Sequence, residues 1–443
     1  MKEERNPVVE QIVRFGLPLV ILVFYCTASL EFQYTPDSTF QMLQIARLQN
    51  EGGGSVLSAG GTTPSPLWML LLALGSRFHL DLLLTAKVFS LFFSCSVILM
   101  LYLIAFELLR DRVLGFYLSL VFALQPWLLQ AAPSGSALLF GLMLTLTSIF
   151  FLLRNDYVLS TVFVGLSTIV FPEAVVLMGL LIVDVILNSV ERLRAKKVIF
   201  GRAVIYCSTL LPWLLYSAFN KISVTPVLIS FGELPGWTAV SVAAFAALVM
   251  LMIAAIVLLI QSGESGRLVV RTQAATLLWV CVVMTLGFAG RREFFLMGIP
   301  LLAVYAFMGL RELIIARHRE HLVYTVAFIF AGLLLVQNQV TSSSVGASIM
   351  HNAIEEERDL VSIAYWLKAN TRAEATVMAE KPGIVGYYSD RAVSPLTMES
   401  EMRAEYIVSR VKSVDGYAVV YDPVDVGLDV SPAHHFALLK RNG

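Results

Sequence analysis

The sequence predicts an all-α polytopic membrane protein with about eleven transmembrane helices and a small C-terminal α/β domain. Three observations predict it. Of the 443 residues 57% are hydrophobic and only 14% charged, far from the balance of a soluble domain. The mean hydropathy is +0.76. After residue 341 the composition changes: "TSSS" opens a hundred or so residues of water-soluble character.

The formal net charge is zero and no block of like charge occurs, which argues against nucleic acid or an acidic soluble partner. Cys26, Cys95, Cys207 and Cys281 lie in apolar runs without a Cys-x-x-Cys pair, so they read as small core residues rather than zinc or redox ligands. The N-terminus lacks the short apolar core and small-residue cleavage site of a signal peptide, so the first apolar run reads as an anchor.

Crossing the hydrocarbon takes about 20 helical residues. Candidate spans start near residues 13, 83, 113, 136, 157, 174, 198, 237, 272, 294 and 321. The two runs flanking Pro172-Glu173 are short and read as a tilted or broken pair. Lys and Arg concentrate in cytoplasmic loops. With Lys2, Arg5 and Arg14 inside, the loops holding Arg110/Arg112, Arg154, Arg192/Arg194/Lys196/Lys197, Arg267/Arg271 and Arg311/Arg317/Arg319 also fall inside. An odd number of crossings then puts the C-terminus outside. The expected organisation is a transmembrane domain over 1–341 in the cytoplasmic (plasma) membrane and an extracytoplasmic α/β domain over 342–443.

That parity makes 31–82 a large first external loop. Ser38 to Gln49 has helical periodicity (Phe40, Leu43, Ile45 and Leu48 apolar), and Gly52-Gly53-Gly54 stops it. "LWMLLLALGSRF" is too brief to span and reads as an interfacial or re-entrant helix. In the C-terminal domain the pattern predicts a helix over 355–370, strands over 376–379, 392–396, 417–421 and 435–440, and a helix over 399–411.

Asp37 is the acid poised between the first span and the amphipathic segment. Partial desolvation at a water–lipid boundary raises a carboxyl pKa and makes it a usable base. An Asp directly before a helical pattern also reads as an N-cap. Arg291 and Arg292 fall at an outer boundary, against the positive-inside trend, and a lipid phosphate gives such a pair a reason. Neutralisation by Glu293, or a span count shifted by one, would explain them equally. Lys221 and Arg47 are further candidates for the same surface. Glu173, after Pro172, either shapes an acceptor cavity or marks a structural hinge.

His434-His435 reads as part of a surface strand, and Trp68, Trp127, Trp213 and Trp237 as an aromatic belt. With one acid and no Asp-x-Asp, no divalent metal site is expected.

"PDSTFQMLQIARLQNEGGGSVLSAGG", with "TTPSPLWMLLLAL" following, resembles the first external loop of the GT-C superfamily of integral-membrane glycosyltransferases, in particular members that use polyprenyl-phosphate sugars, such as protein mannosyltransferases and bacterial arabinosyl-type enzymes. The matching positions are Asp37, Ala46-Arg47, Glu51 to Gly54, and Ser65-Pro66-Leu67-Trp68. "APSGSALLFGLML" is similar to the second external loop, "VFPEAVVLMGLL" to an Arg-Pro-Glu hinge, "AGRREFFLMGIPLLAVYAF" to a Gly-Arg-Arg segment, and "TVMAEKPGIVGYYSDRAV" to a Gly-Tyr-Tyr-Ser-x-Arg segment behind such domains.

The resemblance implies inverting transfer of a sugar from a polyprenyl-phosphate donor to a glycan, lipid or protein acceptor. It makes Asp37 catalytic, gives Arg291, Arg292, Lys221 and Arg47 to the lipid phosphate, and gives Glu173, Ser65 and Trp68 to the acceptor cavity. Three positions depart from the family pattern. Ser38 stands where many relatives have a second acid, Ser134-Gly135-Ser136 holds no carboxylate in the second loop, and Phe171 replaces the hinge Arg. These departures also fit a non-catalytic protein that binds a polyprenyl lipid or scaffolds envelope assembly. A transporter would place charges inside its spans, and almost none occur.

Overall fold

The computed structural model describes residues 65–77, 80–109, 111–123, 126–170, 174–188, 192–219, 347–396, 404–411, 414, 416–423 and 435–441, with single positions and short stretches in 23–47 and 280–332. Asp37, Glu173, Lys221, Arg291 and Arg292 lie outside the described residues, as do the spans expected from residues 237 and 272 over nearly all their length.

The helices are α1 (Pro66–Arg77), α2 (Leu82–Leu109), α3 (Arg112–Ala123), α4 (Pro126–Ala131), α5 (Leu138–Leu153), α6 (Tyr157–Val170), α7 (Val175–Asn188), α8 (Arg192–Phe219), α9 (Ala347–Asn370) and α10 (Pro382–Ser389). A 3-10 turn, Ala132–Ser134, follows α4. Six candidate spans, those from 83, 113, 136, 157, 174 and 198, coincide with α2, α3 and α5 to α8. Among the described residues α2, 28 residues long, is the helix long and apolar enough to cross a membrane by length and composition. Its length of about 42 Å exceeds about 30 Å of hydrocarbon.

Aspartates start several helices. Asp81 Oδ1 accepts the backbone N–H of Leu83 at 3.0 Å ahead of α2. Asp111 Oδ1 accepts those of Val113 and Leu114 at 2.9 and 3.2 Å ahead of α3, and Asp156 Oδ1 accepts that of Leu159 at 3.1 Å ahead of α6. Each satisfies donors that the first helical turn leaves open.

α5 packs against α2 and α6, and α6 against α8. The polar groups buried between these helices are mostly hydroxyls. Thr145 and Ser167 pair at 2.7 Å, and Ser148 donates to the Ser160 carbonyl at 2.9 Å. Arg202 of α8 is the charged exception: its Nη1 donates to the Leu181 carbonyl at 2.6 Å and its guanidinium lies 4.3 Å from the Tyr157 ring. Cys95 is half-buried, but Cys207 is exposed on α8, which corrects the expectation that it is a core residue.

The C-terminal chain forms a five-stranded sheet of β1 (Val377–Ala379), β2 (Val393–Pro395), β3 (Tyr406–Ser409), β4 (Tyr417–Tyr421) and β5 (Ala437–Arg441) in the order β2-β1-β3-β5-β4. β1 runs parallel to β2 and β3, with Val377 opposite Val393 and Tyr406, and β5 runs antiparallel to β3 and β4. Three elements differ from expectation. The segment assigned to a helix over 399–411 contains β3, buried at all four positions. Burial on both faces replaces alternation with a continuous apolar run, which periodicity cannot separate from a helix. α10 was not expected; Pro382 at its first turn fits a helix start. α9 also begins earlier, at Ala347. One hydrophobic core joins the bundle to this sheet, from Trp68, Leu101 and Leu142 to Ile363, Val385 and Leu438.

Candidate functional site

Three segments separated in sequence meet beside the Leu82 end of α2. The first is the first-loop helical segment, in which Thr39, Phe40, Met42, Leu43, Gln44 and Arg47 are helical as the periodicity predicts, with Thr39, Phe40, Met42 and Leu43 buried. The second is the turn Ser134-Gly135-Ser136. Ser134 Oγ donates to the Ala131 carbonyl at 2.6 Å and lies 3.1 Å from Ser136 Oγ. Gly135 has φ +70°, and a Cβ there would lie 3.1 Å from Thr39 Cγ2 and 3.2 Å from Ala86 Cβ. A side chain at 135 would therefore need both a strained backbone and a gap that does not exist. The first loop, the second loop and α2 thus touch at one point.

The third segment is the "GYYSDR" stretch, Gly386 to Arg391. Phe40 lies 5.6 Å from the Tyr387 ring and 5.7 Å from that of Tyr388, centroid to centroid. Gln44 Nε2 donates to the Arg391 carbonyl at 2.7 Å. Arg47 Nη1 meets Asp390 Oδ1 at 2.5 Å, and Lys368 of α9 binds the other oxygen of the same carboxylate. A Cβ on Gly386 would overlap the Gln44 side-chain amide, so glycine lets α10 approach the first-loop segment this closely. Tyr365 of α9 lies 5.9 Å from the Tyr388 ring and is 54% exposed.

Charges collect around these rings. Burial, with Glu357, Tyr387, Tyr365 and Asp81 adding to it, pushes the Tyr388 hydroxyl up to about 12. Burial likewise raises Tyr387, chiefly over the opposing pull of Arg47. Glu357 of α9 is half-buried, and burial raises its carboxyl pKa against the pull of Lys87 of α2 and of Lys381. Its neighbour Glu356 is held by Lys381 and by Arg410, the latter at 2.5 Å.

Of the residues singled out from sequence, Arg47 is at this junction, bound to Asp390. Ser65 and Trp68 have structural surroundings. Ser65 is buried at the start of α1, where its Oγ lies 3.5 Å from the Trp68 backbone N–H and its carbonyl accepts that of Met69 at 2.9 Å. Trp68 is fully buried, its ring 6.1 to 6.4 Å from those of Phe89, Phe93 and Phe140. That burial corrects its assignment to an aromatic belt. His435 is corrected too. It is buried, with Nδ1 2.8 Å from Asp359 Oδ2 and Nε2 2.5 Å from Asp422 Oδ1, and the Phe436 backbone N–H donates to Asp359 Oδ2 at 3.1 Å. Burial raises the Asp359 pKa despite these partners. Sequence reasoning missed Lys87, Glu357, Tyr365, Tyr387 and Tyr388. The tyrosine pair was visible inside a quoted motif, whereas Lys87 and Glu357 had no local signal.

No family model matches the chain, and no curated protein matches it by sequence. Solved structures do. Archaeal oligosaccharyltransferase AglB from Archaeoglobus fulgidus, in complex with an inhibitory peptide and a dolichol-phosphate, matches with a TM-score of 0.60 and 11% identity over 90% of this chain and 70% of its own. ArnT from Cupriavidus metallidurans in the apo state gives 0.59 and 12% over 98% of both chains. The same protein bound to undecaprenyl phosphate gives 0.60 and 11% over 97% of this chain and 98% of its own. Both proteins are GT-C superfamily membrane glycosyltransferases, so the resemblance read from the motifs is matched in three dimensions. This chain shares the GT-C fold.

Proposed function

We propose that the protein is a membrane glycosyltransferase that moves a sugar from a polyprenyl-phosphate donor to an acceptor on the extracytoplasmic face, with inversion at the anomeric carbon. The observation that carries this reading is the meeting of the first-loop segment, the second-loop turn and the "GYYSDR" stretch at one end of α2 in a GT-C fold. Asp37 lies three residues before Phe40 in sequence, a chain reach of at most about 10 Å.

In this mechanism Asp37 takes the proton of the acceptor hydroxyl as its oxygen bonds to the anomeric carbon. The bond from that carbon to the phosphate oxygen breaks, and its electron pair leaves with the phosphate. Arg291 and Arg292, with Lys221 as a further candidate, offer charge to the departing group, which needs electrostatic stabilisation more than a proton. No residue of this scheme requires a metal. Residues 1–341 form the membrane domain, and 342–443 lie outside the membrane beside the site.

The acid-free Ser134-Gly135-Ser136 turn favours a second reading, a GT-C-fold protein that binds a polyprenyl lipid or scaffolds envelope assembly without turnover. Purified protein in nanodiscs, offered a panel of undecaprenyl-phosphate-linked hexoses and pentoses, separates the two by mass spectrometry of bound donor and released undecaprenyl phosphate. Release that falls by about 10²–10⁴ in Asp37→Asn while donor stays bound supports transfer, and Arg291→Ala is expected to weaken donor retention. Binding without release in wild type supports the second reading.

A further inference from the structure

We infer that Tyr365, Tyr387 and Tyr388, backed by Phe40, form a subsite for a sugar ring, which lies against the aromatic faces and hydrogen-bonds to the phenol hydroxyls. The assignment rests on the transferase reading and deepens it by giving the sugar a place.

The rings come from three separate segments and meet in one cluster. Phe40 of the first-loop segment lies 5.6 Å from the Tyr387 ring and 5.7 Å from that of Tyr388. Tyr387 and Tyr388 of α10 stand edge to face at 5.1 Å, with 85° between their planes. Tyr365 of α9 lies 5.9 Å from Tyr388, tilted by 54°. Phe40 is fully buried, Tyr387 and Tyr388 are half-buried, and Tyr365 is exposed. The cluster therefore opens from the core to the surface.

The hydroxyls separate these tyrosines from others in the chain. Tyr417 donates to the Ala404 carbonyl at 2.6 Å, Tyr421 pairs with Ser362 at 2.6 Å, and Tyr324 donates to Asp111 Oδ2 at 2.7 Å. Among the described residues the hydroxyls of Tyr365, Tyr387 and Tyr388 have no such partner. A ring packed only for its apolar area needs no hydroxyl, and Phe40 fills that role here. Neighbouring phenols with unengaged hydroxyls offer what a sugar binds. Its C–H-rich face settles on the negative face of an aromatic ring, and its hydroxyls exchange hydrogen bonds with the phenols. Ligand sites commonly combine aromatic walls with a few polar groups, and a tyrosine supplies such a wall with only two side-chain torsions to fix. The raised Tyr388 pKa, about 12, keeps that hydroxyl a neutral donor at physiological pH. The cations that flank the contact, Arg47 and Lys368, both hold Asp390, which favours an uncharged ligand over a phosphate.

Binding to the full chain in nanodiscs tests the subsite with three probes: bare undecaprenyl phosphate, undecaprenyl-phosphate-linked hexoses and pentoses, and the corresponding methyl glycosides. Wild type is compared with Tyr365→Ala, Tyr365→Phe and Tyr388→Phe. Tyr365→Ala is expected to weaken a sugar-bearing probe by about 3- to 10-fold and to leave bare undecaprenyl phosphate unchanged. Tyr365→Phe and Tyr388→Phe, which keep the ring and lose the hydroxyl, should give smaller losses. A loss on the lipid-linked sugar assigns the subsite to the donor, and a loss confined to the methyl glycosides assigns it to the acceptor. The subsite is overturned if Tyr365→Ala and Tyr388→Phe bind every sugar probe within about twofold of wild type, or lose bare undecaprenyl phosphate equally. It is also overturned if wild type gains no affinity from any sugar. Release of undecaprenyl phosphate by wild type, followed in parallel, keeps the two readings apart. Release with no sugar contribution from these rings overturns the subsite alone, whereas ring-dependent sugar binding without release overturns transfer alone.

Discussion

The helix bundle and the junction at the Leu82 end of α2 hold polar groups of different kinds. Inside the bundle they are mostly hydroxyls bonded to one another or to a helix carbonyl, as in Thr145–Ser167 and Ser148–Ser160. At the junction they are carboxylates, cations and phenols: Arg47–Asp390–Lys368, Glu356–Lys381–Arg410, Glu357 with Lys87, and Tyr387 and Tyr388. A charge is costly to hold in a low-dielectric interior, so a fold concentrates charges where water or a charged ligand can reach them. Among the described residues the charged groups gather at the junction and the hydroxyls in the bundle.

The contrast breaks most visibly in stability as a function of pH. Trp68→Ala is expected to lower unfolding free energy by about 3–5 kcal/mol, because a fully buried indole leaves a cavity between phenyl rings. Nothing titrates in that contact, so thermal unfolding at several pH values should show the same loss at each.

His435→Leu should cost a similar amount, about 3–5 kcal/mol near neutral pH, by leaving Asp359 buried without its partner. Here the loss depends on pH. The folded pKa of Asp359 is already raised above its ordinary 3.8, so the stability it contributes is present below that value and is lost as pH rises through the folded pKa. Removing the imidazole raises that pKa further and deepens the loss. The penalty of His435→Leu should therefore shrink as pH falls below the ordinary carboxylate range, where Asp359 is neutral folded or unfolded. A penalty that is flat with pH would show that the His435 contact works by packing alone.

The smallest effect is expected at Asp390→Asn. Arg47 is 42% exposed and Asp390 29%, so solvent screens the pair and its loss should change stability by about 0–1 kcal/mol. A larger loss in thermal unfolding would mean that this bond fastens α10 to the first-loop segment, a task the structure otherwise gives to Phe40 packing on Tyr387 and Tyr388.

What was legible in the sequence followed local periodicity. The apolar runs gave α2, α3 and α5 to α8, and the strands read over 376–379, 392–396, 417–421 and 435–440 gave β1, β2, β4 and β5. β3 was not legible, because a strand buried on both faces loses its alternation. α10 was hidden by the glycines of "PGIVGYYS", whose weak helix propensity is offset by packing against Phe40 and Gln44. His435 was misplaced for a related reason: a histidine in a polar-looking run shows its burial only once Asp359, 76 positions away, is brought to it.

The membrane class, the order of the helices and the loops that could carry chemistry were determined by the sequence alone, since hydrophobic run length and period act over one element at a time. The tertiary structure decided which of those loops meet. Gln44 and Arg391 are 347 positions apart and share a hydrogen bond, and Arg47 and Asp390, 343 positions apart, share an ion pair. No local pattern encodes such pairings. They arise when the hydrophobic surfaces of α2, α9 and α10 are buried together.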